Sequence, residues 1–247
     1  MEGKELRLAV LIDADNAPRS ALREIMAESA VYGTPTIKRI YGDWTTPNLA
    51  SWKPLLLEHA IVPIQQYAYT SGKNSTDSAM IIDAMDIRYS GRCDGFVLVS
   101  SDSDFTRLAI RLREAGMKVY GMGEKKTPQP FIAACNKFTY IEVIRSSEQT
   151  VPQSAPEEVP GPGVPKDVVN MIAETLESVA DEDGYAFLGT LGSVLNKKQP
   201  DFDPRNYGFS KLSRMMESMP ERFEVDSRET GRPNIRHIYV RDKKRRS

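Results

Sequence analysis

Three short runs of this chain concentrate oxygen ligands: Asp13-Ala14-Asp15-Asn16, Lys73-Asn74-Ser75-Thr76-Asp77 and Ser100-Ser101-Asp102-Ser103-Asp104. Carboxylates brought to one place repel one another unless a cation stands between them, and hard divalent ions take oxygen ligands. Such a set would hold Mg²⁺ or Mn²⁺. A divalent ion polarises a phosphoryl oxygen and lowers the pKa of a bound water, and a second ion stabilises a leaving 3′ oxygen. The chemistry to expect is therefore cleavage of phosphate esters. It needs no histidine, which suits a chain with only His59 and His237. Lys73 stands where it could meet a substrate phosphate or simply be solvated, and Lys125 and Lys126 carry the same two readings.

The runs can act together only if the fold brings them to one edge. The first and third each follow an apolar stretch, Leu8 to Ile12 and Phe96 to Val99. Such stretches read as buried parallel strands, whose C-terminal ends border the ligand crevice of an open α/β sheet. Strands are expected at 7–12, 36–41, 61–66, 95–99 and 118–121, with a sixth at 139–143. Helices are expected at 17–29, 49–58, 75–88 and 105–114, the third burying Ala79, Ile82, Met85 and Ile87. Gly116 is a stop signal for the fourth. Alternation of this kind predicts an α/β fold with a parallel sheet covered by helices on both faces.

Each polar residue also has an ordinary reading. Asn16, two residues before Pro18, suits a helix N-cap. Asp102 or Ser103 could cap the helix near Phe105, and Asp77 could complement a helix dipole. Capping needs one polar residue per helix, however, and here two of the three runs carry paired acids. Their coincidence at one sheet edge favours a metal site.

Composition narrows the field. The chain has 247 residues, room for one large domain or two modest ones, and its formal net charge of −1 neither announces nor excludes a nucleic-acid partner. Cys93 and Cys135 lack metal-ligand spacing, so with two histidines a Cys/His zinc site is not expected. The charged start, Met1 to Glu5, shows no signal peptide, and no apolar stretch approaches the roughly 20 residues that span a bilayer. A cytoplasmic protein with no membrane partner is expected.

Ser146 to Pro165 contains five prolines and three glutamates and reads as a semi-extended linker. It divides the chain into 1–145, 146–165 and 166–247. In the last part, Pro165 to Val179 reads as a helix with an apolar stripe at Val168, Ile172, Leu176 and Val179, with further helices at 188–196 and 210–218. Strands at 223–226 and 235–240 flank Thr230-Gly231-Arg232-Pro233-Asn234 as a hairpin would. Helices followed by a two-stranded wing make a winged-helix (α+β) pattern. Lys197, Lys198, Arg205, Lys211 and Arg214 cluster around its second and third helices, with Tyr207 and Phe209 among them. Cations position a phosphate backbone and aromatics stack on unpaired bases. Phe209 and Leu212 also suit a small core. Arg228, Arg232, Arg236 and the tail from Arg241 to Ser247, with five positive charges, could extend an RNA footprint.

Ile12-Asp13-Ala14-Asp15-Asn16, Gly72-Lys73-Asn74-Ser75-Thr76-Asp77 and Val99-Ser100-Ser101-Asp102-Ser103-Asp104-Phe105 resemble the three signatures of NYN domains, in the PIN-like nuclease group. The resemblance spans about residues 6–144. It implies a Rossmann-like PIN fold and Mg²⁺- or Mn²⁺-dependent cleavage of RNA. By motif position, Asp13, Asp77, Asp102 and Asp104 would bind metal and Asn16 would accompany the first aspartate. Residues 166–240, with Asp183 to Gly189 and Phe202 to Leu212, resemble an OST-type winged helix, or LOTUS domain. That implies RNA binding or docking to a protein partner. Two rivals stand beside this expectation. Asp13-Ala14-Asp15 also resembles the Asp-x-Asp of haloacid dehalogenase-type phosphatases, though Ala17 departs from their pattern. A catalytically silent RNA-binding adaptor is the other.

Overall fold

The structure, a computed structural model, describes residues 5–67, 75–148, 163–229 and 236–244. The chain divides into two compact units, Met1–Val151 and Pro152–Ser247. In the first, strands and helices alternate: β1 (Arg7–Asp13), α1 (Leu22–Tyr32), β2 (Thr34–Gly42), α2 (Lys53–Glu58), β3 (Val62–Gln65), α3 (Ser75–Tyr89), β4 (Gly95–Val99), α4 (Thr106–Glu114), β5 (Lys118–Gly123), α5 (Gln129–Ala134), β6 (Lys137–Tyr140) and α6 (Ile141–Glu148).

Every neighbouring pair in this six-stranded sheet is parallel, in the order β3-β2-β1-β4-β5-β6. The winding reverses between β1 and β4, and at such a switch point the crevice opens beyond the strands' C-terminal ends. Both strands are buried on both faces, which is why they read as unbroken apolar runs. Successive side chains alternate between two cores. Leu8, Val10, Ile12, Val97 and Val99 pack with Leu22 and Ile25 of α1, Leu56 of α2 and Ile141 and Ile144 of α6. Ala9, Leu11, Phe96 and Leu98 pack with Met80 and Ala84 of α3, Leu108 and Leu112 of α4 and Phe131 of α5. Asp13 follows Ala9 and Leu11 in this alternation.

Several local expectations are corrected. The buried face of α3 is Met80, Ala84 and Ile87, with Ala79 and Met85 packed at its margin, whereas Ile82 is 64% exposed. The expected sixth strand ends at Tyr140; Ile141 begins α6, because Ile141 and Ile144 bury at helical spacing. That helix runs through Glu148, into the stretch expected as linker. Residues 149–162 of that stretch, Lys73, the Thr230 to Asn234 turn and the last three residues lie outside the described residues. Gly116 adopts the left-handed φ of +79° that its stop role requires.

The second unit comprises α7 (Lys166–Val179), β7 (Tyr185–Phe187), α8 (Leu188–Lys198), α9 (Leu212–Glu217), β8 (Phe223–Glu229) and β9 (Arg236–Asp242). Its antiparallel sheet has the order β7-β9-β8, so the expected two-stranded wing has a third strand. The stripe Val168, Ile172 and Leu176 of α7 is buried with Leu191, Leu195, Phe202, Met215, Met216, Phe223 and Val240, and Val179 packs beside it. Each fully buried aliphatic contributes about 1.5–3 kcal/mol. This is a winged-helix domain.

Candidate metal centre

Three of the expected acids meet. Asp77, in the first turn of α3, and Asp102 and Asp104, in the turn from β4 into α4, each offer a carboxylate oxygen within 4.8 Å of the others. They grade outward from the protein: Asp77 is buried, Asp102 half-buried and Asp104 exposed. Asp77 carries the electrostatic cost. Burial, followed by the charges of Asp13, Asp102, Asp104 and Asp15, pushes its carboxyl up to about 6.

The loop after β4 is held by its own hydrogen bonds. Asp102 Oδ1 accepts from the Asp104 N–H at 2.9 Å, capping the 3-10 turn Ser103–Phe105. The Asp102 N–H donates to Ser100 Oγ at 3.1 Å. Ser100 Oγ in turn donates to Asp13 Oδ2 at 2.8 Å, tying the end of β4 to the end of β1. Asp102 thus combines the capping and cluster readings, one of its oxygens holding the turn while the carboxylate joins the trio.

Asp13 stands beside the trio rather than in it. It has no exposed surface, and its oxygens accept from Asn16 Nδ2 at 2.8 Å, from Ser100 and from the Asp15 N–H at 3.0 Å. Burial pushes this carboxyl up too, and the hydrogen bonds offset that only in part. Asn16 orients Asp13 instead of capping a helix: the 3-10 turn Arg19–Ala21 that leads into α1 has Pro18 at its cap and no side-chain cap bond. Asp15 is exposed.

Two supporting residues carried no signal of their own. Ser100 is 1% exposed, and only its place at the head of the third aspartate run hinted at a role. Gly123, at the end of β5, lies so close that an added Cβ would stand 2.6 Å from the Ser100 carbonyl oxygen and 2.6 Å from Thr127 Oγ1. Next to it, Lys126 pairs with Glu124 at 2.6 Å and the Lys125 N–H donates to Glu142 at 3.0 Å.

An all-carboxylate donor set fits a hard divalent cation such as Mg²⁺ or Mn²⁺. The fit has a physical sign here: the like charges that raise Asp77 are those a cation would compensate.

The cations nominated in the second unit are more engaged than their clustering suggested. Arg205 grips the buried Asp203 through Nε at 3.0 Å and a terminal nitrogen at 2.7 Å. Lys198 Nζ donates to Thr175 Oγ1 of α7 at 2.9 Å, and Arg214 pairs with Glu217 at 3.0 Å. Tyr207 is half-buried, its ring 6.2 Å from that of Phe202, and it and Phe209 pack on the core. Lys197 is exposed at the end of α8, and Lys211, also exposed, is the N-cap residue of α9.

The family description of the NYN domain matches residues 7–142, more than half of the chain. The chain belongs to the NYN family. The OST-HTH/LOTUS domain matches residues 163–235. With these two domains it is a nuclease-like, RNA-associated protein. No curated protein matches it. Among solved structures it is similar to a protein of unknown function from Vibrio parahaemolyticus, with 21% identity over 57% of this chain and 96% of that one and a TM-score of 0.47. It is also similar to an uncharacterized protein of Nitrosomonas europaea, with 34% identity over 37% of this chain and 82% of that one and a TM-score of 0.29. No helix among the described residues is long and apolar enough to cross a membrane.

Proposed function

We propose that the NYN unit is a Mg²⁺- or Mn²⁺-dependent endoribonuclease and that the winged helix holds its RNA. The observation that carries this reading is the meeting of Asp77, Asp102 and Asp104 at the switch point of a doubly wound parallel sheet. Asp77, Asp102 and Asp104 would hold the cation. When bound, the cation would supply polarisation of a phosphoryl oxygen and a water of lowered pKa. Asp13 adds negative charge behind the trio and, through Ser100, fixes the loop that presents Asp102. Asn16 keeps Asp13 oriented. Asp104, the exposed member, is the one a phosphodiester could reach from solvent. The cytoplasm as its setting belongs to the same proposal.

Full burial of Asp13 argues against the phosphatase reading, which needs that carboxylate as an accessible nucleophile. Three measurements test the proposal together: thermal melting with Mn²⁺, a phosphomonoester assay, and binding and cleavage of RNA. Mn²⁺ should raise the melting temperature of the protein and should fail to do so in Asp77→Asn, while p-nitrophenyl phosphate should remain uncleaved. Equal stabilisation of both proteins by Mn²⁺ would remove the metal site. RNA bound but never cut would leave an adaptor in place of a nuclease.

A further inference from the structure

The outer face of the C-terminal sheet carries a group of rings that the RNA-holding role has not used. Ala186, Val225 and Val240 of β7, β8 and β9 turn toward the core. By alternation Tyr185, Phe187, His237 and Tyr239 lie on the opposite face, with Arg228 and Arg241. Cross-strand register sets Phe187 opposite Tyr239, Tyr185 opposite Arg241, and Arg228 opposite His237. The rings are in contact: Phe187 lies 5.0 Å from His237 and 5.9 Å from Tyr239 between centroids. The Arg228 guanidinium sits 4.2 Å from the Tyr239 ring centre and 4.8 Å from that of Tyr185, and Arg241 sits 4.8 Å from Tyr185. Asp226 and Glu224, which the register sets on the same face opposite Tyr239 and Arg241, pair with the two guanidiniums at 2.8 and 2.5 Å.

Phe187 is 39% exposed on a sheet only three strands wide, with the rings of His237 and Tyr239 against it. Rings and guanidinium planes side by side are the surface on which unpaired nucleobases stack. The hairpin itself is balanced, with four arginines against four Asp or Glu over residues 223–242, and residues 243–247 add four positive charges in sequence.

We infer that the face formed by Tyr185, Phe187, His237, Tyr239, Arg228 and Arg241 is a stacking platform for unpaired bases of single-stranded RNA. The inference rests on the RNA-holding reading of the winged helix and locates it on the sheet. Bases would stack on Phe187, His237 and the guanidinium planes of Arg228 and Arg241.

The test is fluorescence anisotropy of the full chain with a labelled single-stranded RNA and with an abasic oligomer of equal length, which keeps the phosphates and lacks the bases. Phe187→Ala should weaken RNA binding roughly ten-fold, the scale of one lost stack, without changing the salt slope. The same variant should leave binding of the abasic oligomer unaltered, and Phe187→Trp should restore RNA binding. A general loss of folding would weaken both ligands and escape rescue by tryptophan, so either result overturns the platform. Unchanged RNA binding in Phe187→Ala overturns it alone. Binding of neither oligomer by the unsubstituted chain overturns the RNA-holding reading with it.

Discussion

Asp77 meets opposing demands: its place in the trio calls for a charged carboxylate, while burial and four neighbouring acids disfavour that charge. An acid whose pKa is raised on folding keeps its proton in the native state where the unfolded chain has lost it, so stability falls as pH rises through that window. For Asp77 the window opens near the ordinary value of 3.8 and closes at about 6, and Asp13 is shifted in the same direction. Without divalent metal, Asp77→Asn should therefore melt several degrees above wild type at neutral pH, and the difference should shrink toward acid. Thermal scans in EDTA across that range check this; a constant difference would contradict it. Ser100→Ala removes the hydroxyl that joins Asp13 to the Asp102 N–H. Loss of such an orienting partner should weaken Mn²⁺ affinity or cleavage about 10–100-fold with little change in the fold, measurable by metal titration.

Strand ends set the geometry that those residues use. β5 passes close beneath the loop after β4 because Gly123 has no side chain. Gly123→Ala should force that loop to shift, costing about 1–3 kcal/mol in denaturant melts and slowing cleavage more than binding. If the variant cut RNA at the wild-type rate, the loop's position would not matter to the site. At this scale the sequence was legible where burial was simple. β1 and β4 are covered on both faces, so they show as continuous apolar runs, and the acids beyond them declare the edge. It was less legible where periods compete. Ile141, Val143 and Ile144 suit a strand's alternation or a helix's spacing, and packing on α1 and the sheet decides for α6. Pro128 and Pro130 look like loop residues yet flank the start of α5, where the first turn needs no backbone donors. β7, three residues long, exists only through its pairing with β9, so the aromatic face it completes had no local signature.

Taken whole, the chain is a nuclease-like unit and a winged helix, each with its own core among the described residues. Two units that share no core residue predict separable functions. Residues 1–151 alone should fold and retain metal-dependent cleavage, while losing affinity for RNA; circular dichroism and binding assays check both. Failure of that fragment to fold would contradict the separation. The central claim is that the acidic trio cuts RNA, and cleavage of a labelled single-stranded RNA by the full chain tests it most directly. With Mn²⁺ or Mg²⁺ the RNA should be cut internally, and EDTA or Asp102→Asn should abolish cutting while RNA binding persists. Cutting by Asp102→Asn at the wild-type rate, or cutting that survives EDTA, would contradict the account.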